Sequence, residues 1–190
     1  MRGPTVLLAG AAVAVLGLTA AAPAQTSYYP PRPVPAPAYE LAPMPRQPAD
    51  APPGYRKIYR LAANFADDHL YTPNASEAYS VAATGAYRNE AAVFYVFDRQ
   101  YDGTVPLYRF LTPAGKHILS TDRFAGAAQG ARLEAPIGYI DTRPRAGEVA
   151  LHGWYNPATG GYFYTTDPSG ELAPGGGMQY IGVIGYVTQL

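Results

Sequence analysis

Three copies of one sequence pattern fill the chain from Tyr55 onward, and this limits its folds more than any other feature. Ile58-Tyr59-Arg60-Leu61, Leu107-Tyr108-Arg109-Phe110 and Leu151-His152-Gly153-Trp154 align as one element. Ten or eleven residues on come His69-Leu70-Tyr71-Thr72, His117-Ile118-Leu119-Ser120 and Tyr162-Phe163-Tyr164-Thr165. Each unit closes on an apolar run ending in tyrosine: Val93-Phe94-Tyr95, Ile137-Gly138-Tyr139 and Ile184-Gly185-Tyr186. From Tyr95 to Leu107 is 12 positions, and from Tyr139 to Leu151 is again 12. A period of this length marks supersecondary units that bury their apolar faces on one another.

The joints between units point to a ring. Gly54, Gly103 and Gly147 each stand four residues before the first apolar residue of a unit. The third unit ends at Leu190, four residues past Tyr186, with no such connection after it. In a cyclic arrangement the segment around Gly54 fills that joint and the two ends of the domain lie together. A ring also hides the sheet edges that invite aggregation. Within a unit the pattern reads strand, turn, strand, short helical or irregular stretch, strand. Pro113-Ala114-Gly115-Lys116 and Asn156-Pro157-Ala158-Thr159-Gly160-Gly161 are turns between apolar strands. Asn74, Asp122 and Asp167 follow the second strand as helix caps, with Glu77 three residues after Asn74 and Pro168 directly after Asp167. The expected fold is mainly β with short helices. Its three units, about 54–102, 103–146 and 147–190, would close in a pseudo-threefold module, β-trefoil-like or alternatively three-bladed and propeller-like.

Two segments precede this domain. Residues 1–24 read as a signal peptide: Arg2, an apolar run from Val6 to Ala22, and the small-residue site Ala22-Pro23-Ala24 before Gln25. Cleavage there implies a periplasmic or secreted protein with no stable membrane insertion. Residues 25–53 form a proline-rich linker with ten prolines, Pro30, Pro31, Pro33, Pro35 and Pro37 among them. Proline removes backbone donors and pushes the residue before it out of the helical region, so an extended spacer is expected.

Composition then closes off function classes. The 14 Lys+Arg balance 14 Asp+Glu, so nothing marks a nucleic-acid partner. The absence of cysteine excludes disulfides, thiolate metal sites and a cysteine nucleophile. His69, His117 and His152 are the only histidines and show no metal-ligand spacing, so neither a metal nor a cofactor is expected. No Gly-x-Ser-x-Gly elbow, phosphate loop or dinucleotide fingerprint is present. Ser120 aligns with Thr72 and Thr165, and Asp122 aligns with Asn74 and Asp167, which makes them repeat features rather than catalytic groups.

Comparing the units isolates the candidate site residues. The first has Arg60, His69 and Glu90, the second Arg109, His117 and Glu134, and the third Gly153, Tyr162 and Ile181 at the same places. Loss of all three polar groups together is what a hydrogen-bonded cluster requires, because a buried charge left without its partner costs about 3–5 kcal/mol. Each Arg–His–Glu set is expected to be a structural network or a ligand pocket. Aromatic side chains are the other resource. Tyr71, Tyr162 and Tyr164 are expected to share an outward strand face, with Trp154 nearby, opposite a core face of Leu70, Ile118 and Phe163.

Tyr108-Arg109-Phe110, Asn156-Pro157, Tyr162-Phe163-Tyr164-Thr165-Thr166-Asp167 and Tyr180-Ile181-Gly182-Val183-Ile184-Gly185-Tyr186 resemble an uncharacterised bacterial tyrosine-rich repeat family. It is a domain of unknown function often appended to secreted hydrolases and peptidases. The resemblance covers residues 55–190 and implies a non-catalytic adhesion or anchoring module of the envelope. The expected function is a monomeric binding module recognising a cell-envelope glycan or other polymer through repeated aromatic sites. A protein–protein or structural envelope scaffold is the alternative, and a cryptic hydrolase a third reading.

Overall fold

The computed structural model describes residues 51–190; the expected signal peptide and residues 25–50 of the linker lie outside the described residues. Four elements come first: β1 (Tyr55–Ala63), β2 (His69–Thr72), α1 (Ala75–Ala83) and β3 (Tyr87–Phe97). β4 (Thr104–Leu111), β5 (His117–Ser120) and β6 (Arg132–Asp141) follow, with a 3₁₀ turn at Ala127–Gln129 between the last two. β7 (Glu148–Tyr155), β8 (Tyr162–Thr165) and β9 (Gln179–Thr188) complete the chain, with a 3₁₀ turn at Pro174–Gly176. The order strand, strand, helical segment, strand thus occurs three times, and the protein is mainly β.

Local chemistry explains each element. Gly115 closes the β4–β5 turn at φ +73°, a left-handed conformation that side chains disfavour. Asn74 caps α1, its Oδ1 accepting from the backbone N–H of Ser76 and Glu77. Asp122 and Asp167 make the same kind of bond to the N–H of Phe124 and Ser169. Only the alanine-rich first stretch extends to a nine-residue helix. Gly126, Gly130 and the Gly175–Gly177 run hold the other two to single turns.

All nine strands belong to one sheet, and the three long pairs β1–β3, β4–β6 and β7–β9 are antiparallel. Their registers slip at corresponding places, just after Ile58, Leu107 and Leu151 and again around Arg60, Arg109 and Gly153. β3, β6 and β9 each bridge the other two, through Phe97–Tyr139, Asp141–Tyr186 and Tyr95–Thr188. Tyr55 pairs with Phe97 while Thr188 pairs with Tyr95, so both ends of the domain flank β3.

The main core draws on corresponding positions of every unit. Ile58, Leu107 and Leu151 are fully buried, as are Val96, Ile140 and Val187 or nearly so. Tyr71, Leu119 and Tyr164 from the three short strands join the same cluster. Leu61, Leu70 and Ala78 form a smaller cluster that includes α1, and Trp154, Phe163 and Ala173 form another. The expected division of the short strands into a core face and an outward aromatic face is therefore overturned. Both faces are covered: Tyr71 and Tyr164 join the main core while Leu70 and Phe163 join the peripheral clusters, and in β5 both Ile118 and Leu119 belong to the main core.

Candidate functional site

Two arginines clamp the units together. The Arg60 guanidinium donates through Nε to Glu90 Oε2 at 2.7 Å, and through Nη1 and Nη2 to Glu171 at 2.8 and 3.0 Å. Arg109 does the same with Glu134 Oε2 at 2.8 Å and with Glu77 at 3.1 and 2.8 Å, and also donates to the Tyr71 carbonyl. Each arginine thus holds the glutamate of its own unit and one from the helical stretch of another unit. Burial works against both guanidinium charges, but the hydrogen bonds to Glu171 and Glu77 prevail and keep their pKa values raised. Glu77 and Glu171 in turn titrate below the usual carboxylate range: burial opposes the charge, and their arginines overcome it. Thr72 and Thr165, at corresponding positions, donate to the same two carboxylates.

The expected Arg–Glu pairs are present, but neither histidine is hydrogen-bonded into them. His117 Nε2 lies 3.9 Å from Glu134, while its Nδ1 meets Asp68 at 2.7 Å. Asp68 also accepts from the His117 backbone N–H and from the Tyr87 hydroxyl. His69 packs its ring against Phe163 at 4.9 Å, and its buried Nδ1 has no hydrogen-bond partner. Sequence reasoning read Glu77 only as part of a helix cap and did not assign Glu171 or Asp68 to a site. The first two carried a readable signal, standing three and four residues after the caps Asn74 and Asp167. In the second unit those offsets fall on Ala125 and Gly126, just as the third unit has Gly153 in place of arginine. A Cβ on Gly153 would come within 3.0 Å of Ile184 and 3.1 Å of Ile181, so isoleucine occupies the space of the missing clamp.

The four aromatic candidates are not a surface. Tyr71 and Tyr164 are 0% and 1% exposed, and Tyr162 and Trp154 are also buried. The Tyr71 hydroxyl donates to the Tyr164 carbonyl at 2.7 Å and accepts from the Tyr164 N–H at 2.9 Å. The Tyr164 hydroxyl accepts from the Leu119 N–H at 3.0 Å. These short strands lie too far apart to form a backbone ladder, and the phenols bridge them instead. Tyr162 accepts from Gln129 at 2.7 Å, and Trp154 packs with Phe163 and Ala173. A polar end buried in the middle of the fold explains why tyrosine occupies strand positions that leucine fills at Leu119.

Other aromatic side chains do reach solvent around a groove of about 480 Å³ on the first unit. Tyr59 from β1, Tyr79 from α1 and Tyr95 from β3 line it, with Lys57, Asn89, Ala91, Ala92 and the C-terminal Leu190. Burial first, and then the phenols of Tyr79 and Tyr95, push the Tyr59 hydroxyl above its ordinary pKa. Asn89 and Tyr79 have no counterpart of the same type elsewhere. Leu133 and Tyr180 take the place of Asn89, and only the first unit has a helix long enough to present Tyr79. Among the described residues, no group of three or more His, Asp or Glu side chains could hold a metal ion, and no helix is long and apolar enough to cross a membrane.

Residues 44–132 match the family model of a domain of unknown function, DUF5648. The match takes in the first unit, the clamp residues Arg60, Glu77, Glu90 and Arg109, and every groove residue named above except Leu190. No curated protein and no solved structure matches the chain.

Proposed function

We propose that this protein is an exported, non-catalytic binding module that recognises a cell-envelope glycan or related polymer. The groove on the first unit carries the reading: three tyrosine rings surround an amide in an open, unclosed cleft. Rings of this kind give rigid contact to sugar faces at low entropic cost, and their hydroxyls meet sugar hydroxyls. The arginines and their glutamates, by contrast, hold one another and favour a structural role over catalysis. Repeated aromatic sites give way to a single one, because the matched tyrosines are core residues.

The rest of the reading follows the sequence. An apolar N-terminal run with a small-residue cleavage site supports export to the periplasm or beyond, and the proline-rich stretch suits a spacer between an attachment point and the domain. Corresponding bridges among β3, β6 and β9 support three repeated units in a pseudo-threefold, trefoil-like closure of a monomer. A module of this design fits the appended role implied by the resemblance to domains found with secreted hydrolases.

Co-sedimentation of the full-length protein with purified cell-wall sacculi tests the function. Retention that a Tyr79→Ala/Tyr95→Ala variant loses, while still melting cooperatively, supports it. Absence of retention for both proteins removes the glycan reading. The envelope-scaffold reading then leads, on the strength of Tyr180, Ile181 and Val183, which β9 leaves 50%, 48% and 45% exposed.

A further inference from the structure

Resting on the glycan reading, the groove also carries a mark of what sugar it takes. The register of β1 against β3 runs Tyr59–Ala92 and then Leu61–Asn89, so Glu90 and Ala91 together face the single residue Arg60. This is a β-bulge, and Ala91 in it has φ +69°, a left-handed conformation unusual for a residue with a side chain. The Asn89 Oδ1 accepts from the Ala91 N–H at 2.9 Å and so holds the bulge in place. That bond also fixes the amide: its oxygen is engaged by the backbone, and the Nδ2 hydrogens remain to serve an acceptor. Beside them the groove is lined by the methyl groups of Ala91 and Ala92 and walled by the rings of Tyr59, Tyr79 and Tyr95.

A carbonyl acceptor with a methyl group attached, carried on a ring with an apolar face, is an acetamido sugar. We infer that the groove binds an N-acetylated hexosamine glycan, with the acetamido carbonyl on Asn89 Nδ2, the acetyl methyl against Ala91 and Ala92, and a sugar ring against Tyr79. A plain hexose chain offers the same ring face but leaves the amide donor unmatched in a partly desolvated site, which discriminates against it. The register slip itself recurs in the other two strand pairs, so what sets this one apart is the Asn89 amide beside it. At the corresponding places Ala135 does not have a positive φ and Gly182 does, at +123°, but Leu133 and Tyr180 in place of Asn89 have no amide.

Isothermal titration of the full-length protein with β-1,4-linked N-acetylglucosamine tetramer and with cellotetraose separates the possibilities. The expected result is binding of the acetylated tetramer at least about tenfold tighter than cellotetraose. Asn89→Asp keeps the acceptor for Ala91 N–H but removes the donor, so it should abolish that preference. If that variant melts early, Ala92→Leu, which fills the floor, should block the acetylated tetramer. Equal affinity for the two tetramers, or a preference that survives Asn89→Asp, overturns the inference and leaves a glycan-binding function standing. Failure of both tetramers to bind also overturns it, and if sacculi are not retained either, the glycan reading falls with it. Parallel pull-downs on sacculi and on chitin particles distinguish the two natural sources of this sugar.

Discussion

His69 and His117 occupy the same place in successive units, yet only one has a partner. Asp68, immediately before β2, supplies the carboxylate for His117. The residue in that place before β8 is Gly161, packed so tightly on Asp67 that a Cβ there would meet the Asp67 carbonyl at 2.5 Å. His69 therefore lies beside Phe163 with its Nδ1 unsatisfied. Burial is the largest influence on it and lowers its pKa below 6.5; Arg60 adds to this, while Glu90, Asp68 and Asp67 act the other way. A base with a depressed native pKa stabilises the fold fully above its unfolded value, and that contribution is lost as pH falls below about 6.5. Urea midpoints for wild type and His69→Phe, compared between pH 7.5 and pH 5, should diverge, with the wild type losing more. Superimposable pH profiles for the two proteins would assign the acid sensitivity to another group.

Between elements, the clamps are the connections that most differ from hydrophobic packing. The Arg109 side chain is 10% exposed, and Glu134 and Glu77 are 17% and 33% exposed. Removing the cation from such a set leaves carboxylates facing each other, and Arg109→Met should cost about 3 kcal/mol, the lower end of the range for broken buried pairs because Glu77 reaches solvent. Adding Glu77→Gln to Arg109→Met should recover part of that loss, a coupling read from a double-mutant cycle in urea. The sequence made the intra-unit Arg–Glu pairs legible because both partners vanish together in the third unit. It made the caps and turns legible as well, since Asn74, Asp122, Gly115 and Gly160 act locally. What it could not convey was which side of β2 and β8 faces outward. That depended on a period-two alternation, and these four-residue strands are covered on both sides. Tyr71 and Tyr164 consequently read as surface while they bond backbone in the core. The groove was hidden for a different reason: Tyr59, Tyr79, Asn89 and Tyr95 come from three elements and share no motif.

A second pH effect arises at the joint between the second and third units. Glu148, at the start of β7, faces the Asp141 carboxyl at the end of β6, whose Oδ1 pairs with Arg145 at 2.8 Å and whose buried Oδ2 has no hydrogen-bond partner, while Glu148 Oε2 accepts from the Arg145 N–H at 3.0 Å. Burial, followed by the Asp141 contact, pushes the Glu148 carboxyl up to about 7. An acid with a raised native pKa contributes stability below its unfolded value, here 4.5, and loses it as pH rises through 7. This is opposite in sign to His69. Thermal melts at pH 5 and pH 8 should show wild type losing stability relative to Glu148→Gln at the higher pH. If the difference between the two proteins does not change with pH, the raised Glu148 pKa is refuted.

At the scale of the whole molecule, the three joints are the same piece of geometry used with different side chains. Tyr55 pairs with Phe97, Thr104 with Asp141 and Glu148 with Thr188. Six residues, 98–103, connect Phe97 to Thr104, and six more, 142–147, connect Asp141 to Glu148. Thr188 and Tyr55 are the corresponding ends of a third joint that the chain leaves open, and both sit against β3. Two strand spacings across β3 and two residues along it separate them, roughly 12 Å, well within the span of six residues. A circular permutant should therefore fold. Thr188 would be joined to Tyr55 by a six-residue linker copied from 142–147, and new ends opened between Arg143 and Pro144, where the loop is exposed. Its loss should be limited to the ion pair of Arg145 with Asp141, which the cut interrupts, and its melting temperature should lie within about 8 °C of the uncut domain. A permutant that stays unfolded, or folds only with a much longer linker, would show that the units do not close into a ring and that the shared pattern describes sequence rather than symmetry.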